Sequence, residues 1–294
     1  MRSNKTIRTN DGTIICVTCY TPVKQKGKVM IIAPGIGITQ AHYISFASHF
    51  CKEGFAVVTF DYRGMGRSRQ QKLKGYRANI YQWAVQDINA ILLYAKNNYP
   101  GHELIYTGHA TGGEIVGLAP ASQYINRVIL IDSALSSAQL WPWQFKIKFR
   151  LLKTTVLFTK MLGYFPGKYL NIFGNLPLGV IHQWINWCEN LNGLFDDFPD
   201  NNYRKLNVPL LALTFSDSWQ CTPRAVKKLL NHFANSMITW FHITPLDMRI
   251  KEAEYHAFFS VKGSVLWEWL SDWINMKDEY FGDEKGITLK RYMS

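Results

Sequence analysis

Short apolar runs alternate with longer amphipathic stretches along most of the chain. KTIRT and IICVTCY read as two strands around the turn Asn10-Asp11-Gly12. VMIIA is a short buried strand ending at Pro34-Gly35, followed by a helical pattern from about Gln40 to Lys52. AVVTF is the next strand, and a long helix is predicted from Ile80 to Asn98. ELIYT runs into GHATGGE, after which small apolar residues suggest a helix. RVILID, VPLLALTF and MITWFHI are further strands, and a Trp-rich helix is predicted from Val261 to Asn275. This strand–helix alternation predicts the α/β class, a mostly parallel sheet covered by helices on both faces.

Residues 136–207 break the rhythm. Helix-like pieces are interrupted there by Gly163, Pro166-Gly167, Gly174, Pro177 and Pro199. We read the segment as a helical cap inserted into a core made of residues 1–135 and 208–294. The chain's 294 residues suit one large domain with such an insertion.

Chemistry concentrates where strands end. Gly108-His109-Ala110-Thr111-Gly112-Gly113 follows a strand and precedes a helix. It has the form of a nucleophile elbow, G-x-S-x-G, with Ala110 in the nucleophile position. As a phosphate loop it is poor, because it lacks the lysine. Serine hydrolases with such an elbow place an acid and then a histidine after later strands. Asp217 is the first carboxylate after VPLLALTF, and His256 precedes the last helix. A helix cap for Asp217 and a packed loop histidine for His256 are the plainer readings of each alone. His109 is expected to pack beneath the elbow. Backbone N–H groups that could hold an oxyanion fall at Thr111 and in the loop Pro34-Gly35-Ile36-Gly37-Ile38, with Ile36 first and Gly37 in reserve.

Taken together, the chain resembles the α/β-hydrolase superfamily, and among it the bacterial hydrolases with a helical cap that are related to serine esterases and lipases. The resemblance rests on APGIG with Tyr43 and Phe46-Ala47, GFAVVTFDYRGMGRS, the GH-x-x-GG elbow, LPLGVIHQWINWC, VPLLALTFSDSW and EYHAFF. It implies an α/β-hydrolase fold and a carboxylic ester hydrolase of the serine type. His256 would be the base, Asp217 its orienting acid, and no metal or cofactor would be needed. Ala110 departs from the pattern, since an alanine cannot attack a carbonyl. Two readings stay open: a Ser→Ala variant made inactive to trap a ligand, or a natural noncatalytic binding protein.

Charge adds a partner question. The chain carries a formal +12, from 33 Lys+Arg and 21 Asp+Glu. Between Asp132 and Glu189 there is no acidic residue, yet there are six basic ones. If Trp143 to Leu162 is helical, Lys146, Arg150, Lys153 and Lys160 share an arc of roughly 80°. This stripe is a solvated face, a dock for an acidic acyl carrier protein bearing an ester (a pimeloyl methyl ester, for example), or a contact with an anionic membrane. Nucleic acid is disfavoured, because no recognition motif accompanies the charge. The five cysteines are scattered, and Cys16 and Cys19 are expected to pack in a strand rather than pair. With no signal-like or membrane-length apolar run, a cytoplasmic setting is expected.

Overall fold

The computed structural model describes residues 1–170, 174–244, 255–276 and 286–290, with the side chains of Tyr255, His256 and residues 286–290 outside that description. Among the described residues nine strands form one sheet: β1 (Arg2–Arg8), β2 (Ile14–Tyr20), β3 (Lys28–Ala33), β4 (Ala56–Phe60), β5 (Glu103–His109), β6 (Arg127–Ile131), β7 (Pro209–Phe215), β8 (Met237–Ile243) and β9 (Gly286–Lys290). Their spatial order is β1-β2-β4-β3-β5-β6-β7-β8-β9. β1 and β2 are antiparallel to their neighbours, and from β4 to β9 every pairing is parallel. This is the α/β-hydrolase fold.

The central strands are buried along their whole length, which explains their unbroken apolar sequences. Alternate residues feed two cores. Val29 and Ile31, Leu104, and Val128 and Leu130 face one side. Met30 and Ile32, Ile105, and Ile129 and Ile131 face the other. The second side is covered by α1 (Ile44–Lys52) through Phe46 and Phe50, with much of the rest supplied by the C-terminal helix. On the first side the predicted long helix is present but not regular. α2 (Ile80–Gln82) passes through a π-helical turn, Trp83–Ile88, into α3 (Asn89–Asn98).

The stretch after the elbow differs from expectation. Its helix, α4 (Thr111–Glu114), is a single turn and gives way to 3-10 turns. Gly117 lies against the ring of Tyr203, where a Cβ would come within 2.3 Å, and Pro120 follows. Close packing and proline together halt the helix.

Between β6 and β7 lie α5 (Trp143–Thr159), α6 (Leu178–Glu189) and the short α7 (Leu194–Asp197). α5 ends at Thr159, so Lys160 caps the helix instead of lying within it. Phe149, Leu152 and Val156 of α5 and Val180, Ile181 and Trp184 of α6 join the first-side core. After β7, α8 (Pro223–Leu230) starts under a Thr222 cap whose hydroxyl accepts from the Ala225 N–H. The sequence reading had not assigned α8 or β9. A single turn, α9 (Tyr255–Phe258), precedes α10 (Val265–Asn275), whose Leu266, Trp267, Leu270, Trp273 and Ile274 complete the second-side core. Among the described residues no helix is long and apolar enough to cross a membrane.

Candidate active site

Ala110 is the first residue beyond β5 and adopts φ 47°, ψ −117°. An L-residue is costly there, on the order of 1–3 kcal/mol, so neighbouring structure must impose it. Glycines on either side do so by removing side chains from a crowded turn. A Cβ on Gly108 would lie 2.3 Å from the Gly113 Cα, and one on Gly112 would lie 2.4 Å from the Ala33 carbonyl oxygen. A Cβ on Gly113 would meet the Ser133 Oγ at 2.2 Å. The Ala110 N–H donates to the Ile131 carbonyl (2.9 Å), and its own carbonyl accepts from the N–H groups of Gly113 and Glu114 (3.0 Å each). The turn is a strained strand-to-helix elbow of the kind that lifts a nucleophile out of the sheet edge.

The loop after β3 lies directly against this elbow. A Cβ on Gly35 would come 3.3 Å from the Ala110 Cβ. Its Ile38 N–H closes a turn onto the Gly35 carbonyl (3.1 Å), and Gly37 takes φ 76°. The Gly35 N–H donates to the Tyr43 hydroxyl (3.3 Å), which is 2.8 Å from the His109 Nδ1. His109 is fully buried, as expected, and here it helps tie the loop to the strand. Among the described residues, no acceptor takes the N–H of Ile36 or Thr111.

Ala110, Gly35, Ile36 and Gly37 open into a cavity of about 940 Å³. That volume suits a ligand of drug or acyl-chain size. α5, α6 and the β7–α8 loop supply an aromatic wall. Trp219 stacks on Phe145 at 4.7 Å between ring centroids and meets Trp141 edge-on at 4.9 Å. Trp184 and Phe149 lie behind them. Lys148 and Lys168 are the basic residues of the lining.

Asp132 is the one carboxylate among the described residues of the lining, and the sequence reading passed over it. It directly follows β6 and takes φ 48°; with Ala110 it makes up the non-glycine positive-φ residues described. Burial pushes its carboxyl up to about 6, against the hydrogen bond from the Ser218 hydroxyl (2.7 Å) that favours the ionised form. The position just after RVILI was its only signal in the sequence. Asp217 stands at the neighbouring strand end, exposed, and close enough to raise Asp132 further. The acidic group that lines the site is therefore Asp132, while the expected one, Asp217, stands at the next strand end and is not among the described lining residues. The backbone of His256 lies in α9, but its side chain is outside the described residues.

Behind the elbow, Glu114 is buried and pushed up to about 7 by that burial. Its carboxylate accepts from the N–H and hydroxyl of Ser136 (2.6 Å each). It anchors the start of the segment leading to α5. The cysteines do not pair: the Cys16 thiol donates to the Arg67 carbonyl, while Cys19 is buried near the Tyr94 hydroxyl. The basic stripe is less uniform than its sequence suggests. Lys153 pairs with Glu189 at the end of α6, and Lys146 donates to the Gln139 carbonyl (3.0 Å). Arg150 and Lys160 are exposed.

Comparison with known proteins agrees with this geometry. A family model for serine aminopeptidases of the S33 type matches residues 24–168. A monoacylglycerol lipase of Mycolicibacterium smegmatis is 29% identical over 105 residues, a match spanning 36% of this chain and 36% of the lipase. A soluble variant of the monoglyceride lipase of Saccharomyces cerevisiae superposes with a TM-score of 0.62 at 14% identity, covering 92% of this chain and 95% of that one. A carboxyl esterase of Bacillus coagulans gives 0.61 at 13% identity, covering 93% and 98%. The strand order, the strained turn after β5 and these likenesses agree: the chain has the α/β-hydrolase fold and is similar to members of the α/β-hydrolase superfamily.

Proposed function

We propose that the site is that of a serine-type carboxylic ester hydrolase which, with Ala110 at the elbow, binds an ester of an apolar acyl chain and does not turn it over. The observation that carries this reading is the elbow itself: Ala110 is held in a strained conformation, with its glycines and the Ile36–Gly37 loop in place. Such strain is costly and persists where surrounding structure is arranged around a function.

With serine at this position the chemistry is acyl transfer. The serine oxygen would attack the ester carbonyl while His256 takes its proton, and the negative oxygen would rest on the N–H groups of Ile36 and Thr111, with Gly37 as the reserve donor. His256 would pass that proton to the leaving alcohol, and water would then release the acid. Asp217 would orient His256, and Asp132 is a second candidate for that role. With alanine there is no attacking atom, and loss of the nucleophile lowers turnover on the order of a millionfold while largely sparing binding. A variant made to trap ligand and a natural binding protein share this description.

Of the substrates considered, a lipid ester fits better than an ester on an acyl carrier protein. Lys153 and Lys146 of the basic stripe already have partners in the protein, whereas large apolar side chains beside the stripe are exposed. The test is Ala110→Ser assayed on p-nitrophenyl esters of increasing chain length, on a monoacylglycerol and on an acyl-carrier ester. Turnover that rises with chain length supports the reading. No turnover of any ester by a folded Ala110→Ser protein overturns it.

A further inference from the structure

We propose that the outer face of α5 is a docking surface for an anionic lipid bilayer, placed so that a lipid passes from the bilayer into the cavity above Ala110. The proposal rests on the ester-site reading only for what the lipid delivers.

The helix buries Phe149, Leu152 and Val156. Its opposite face is also apolar, which an ordinary surface helix does not show. Trp143 and Phe158 are each 72% exposed, Leu151 66%, and Met161, just past the helix end, 88%. Trp143, Ile147, Leu151 and Phe158 fall within an arc of about 80° at 3.6 residues per turn. Large apolar side chains gathered in one patch mark an interaction surface, whereas scattered ones carry no message.

Charge selects the occupant. Arg150 lies beside the apolar arc on one side, Lys148 on the other, and Lys160 and Lys168 follow the helix; all four are exposed. From Ser133 to Cys188 the chain has no acidic residue. A helix that offers Trp, Phe and Leu between cations matches the bilayer interface, where aromatic rings sit at headgroup level and cations meet anionic lipid. The patch adjoins the site: Leu151 and Lys148 of α5, with Lys168 and Leu170 beyond it, line the cavity that holds Ala110, and all four are exposed. An acyl chain could thus leave the bilayer and reach the elbow along a continuous apolar path.

The experiment is flotation of the full chain, as it stands, with phosphatidylcholine vesicles with and without phosphatidylglycerol. It compares the unaltered protein, the double variant Trp143→Glu/Phe158→Glu, and Val23→Glu as a control, since Val23 is 99% exposed but far from α5 in sequence. All proteins are first matched for thermal unfolding. We expect binding that requires phosphatidylglycerol, falls roughly tenfold or more in the double variant, and is unchanged in Val23→Glu. High salt should weaken it. No binding to anionic vesicles, or equal binding by the double variant, overturns the proposal. So does a dimer, seen by sedimentation without vesicles, that the double variant dissociates, because a second copy would then be the occupant. Vesicle binding is read without turnover, so an inactive Ala110→Ser protein would sink the ester reading and leave this result standing.

Discussion

Replacing Ala110 by glycine is expected to stabilise the protein, although Ala→Gly changes ordinarily weaken one. At φ 47°, ψ −117° the alanine side chain opposes the backbone, and relief of that strain is worth about 1–3 kcal/mol. Against it stands the greater freedom of glycine in the unfolded chain, roughly 0.5–1 kcal/mol. Ala110 is partly exposed, so loss of its methyl group adds less than the ~0.8 kcal/mol of a fully buried carbon. The balance is a gain of about 1 kcal/mol. Ala95 supplies the contrast, because it is fully buried in the middle of α3. There Ala→Gly costs about 1 kcal/mol in helix propensity and about 0.8 in lost burial. Urea unfolding of the two variants beside the unaltered protein should give shifts of opposite sign. If Ala110→Gly destabilises as much as Ala95→Gly, the elbow is not strained and the reasoning that assigns it a function fails.

Other expectations follow from the same geometry. Because burial raises the Asp132 carboxyl to about 6, the folded state holds its proton longer than the unfolded state does. Stability from this group is therefore present at low pH and declines as pH rises from the ordinary carboxylate range through about 6; between about pH 5 and 7 the loss is about 1 kcal/mol, and Asp132→Asn should flatten that part of the pH–stability curve. Gly113→Ala drives a Cβ to 2.2 Å from the Ser133 Oγ and should cost about 3 kcal/mol or more in chemical unfolding. Gly75→Ala meets nothing within 4 Å and bears only its positive φ, so about 1 kcal/mol is expected. Arg63, buried, pairs with Asp11 and with the fully buried Asp87, so Arg63→Met should cost about 3–5 kcal/mol by stranding a carboxylate, and Arg63→Met/Asp87→Leu should recover part of it. In the Ala110→Ser background, Asp217→Asn and Asp132→Asn assayed side by side assign the acid, since the residue that orients His256 should lose turnover on the order of ten-thousandfold.

The sheet was readable because its central strands are buried on both faces, so each is a compact apolar run closed by a turn. Runs such as VMIIA and RVILI need little context. The elbow was readable for a different reason: its glycines stand in one short run after a strand, although only Gly108 is required by a local contact, with Gly113, while Gly112 and Gly113 are required by Ala33 and Ser133 from other strand ends. What escaped depends on distance along the chain. Asp132 follows β6 like any residue at a strand end, and only the assembled fold reveals its positive φ, its burial and its place beside Ala110. Lys153 looked available because Glu189 is 36 residues away. The turn after the elbow looked helical because the ring of Tyr203, which presses on Gly117, comes from a remote segment. β9 is five residues long and follows α10, with no pattern of its own to set it apart.

The central proposal is that Ala110 occupies the nucleophile position of an ester-hydrolase site. Intact-mass spectrometry after exposure to a fluorophosphonate tests it most directly, on the unaltered protein and on Ala110→Ser. A single adduct on Ala110→Ser, mapped to position 110 and abolished by His256→Ala, with no adduct on the unaltered protein, is the predicted result. A correctly folded Ala110→Ser protein that stays unmodified would contradict the account.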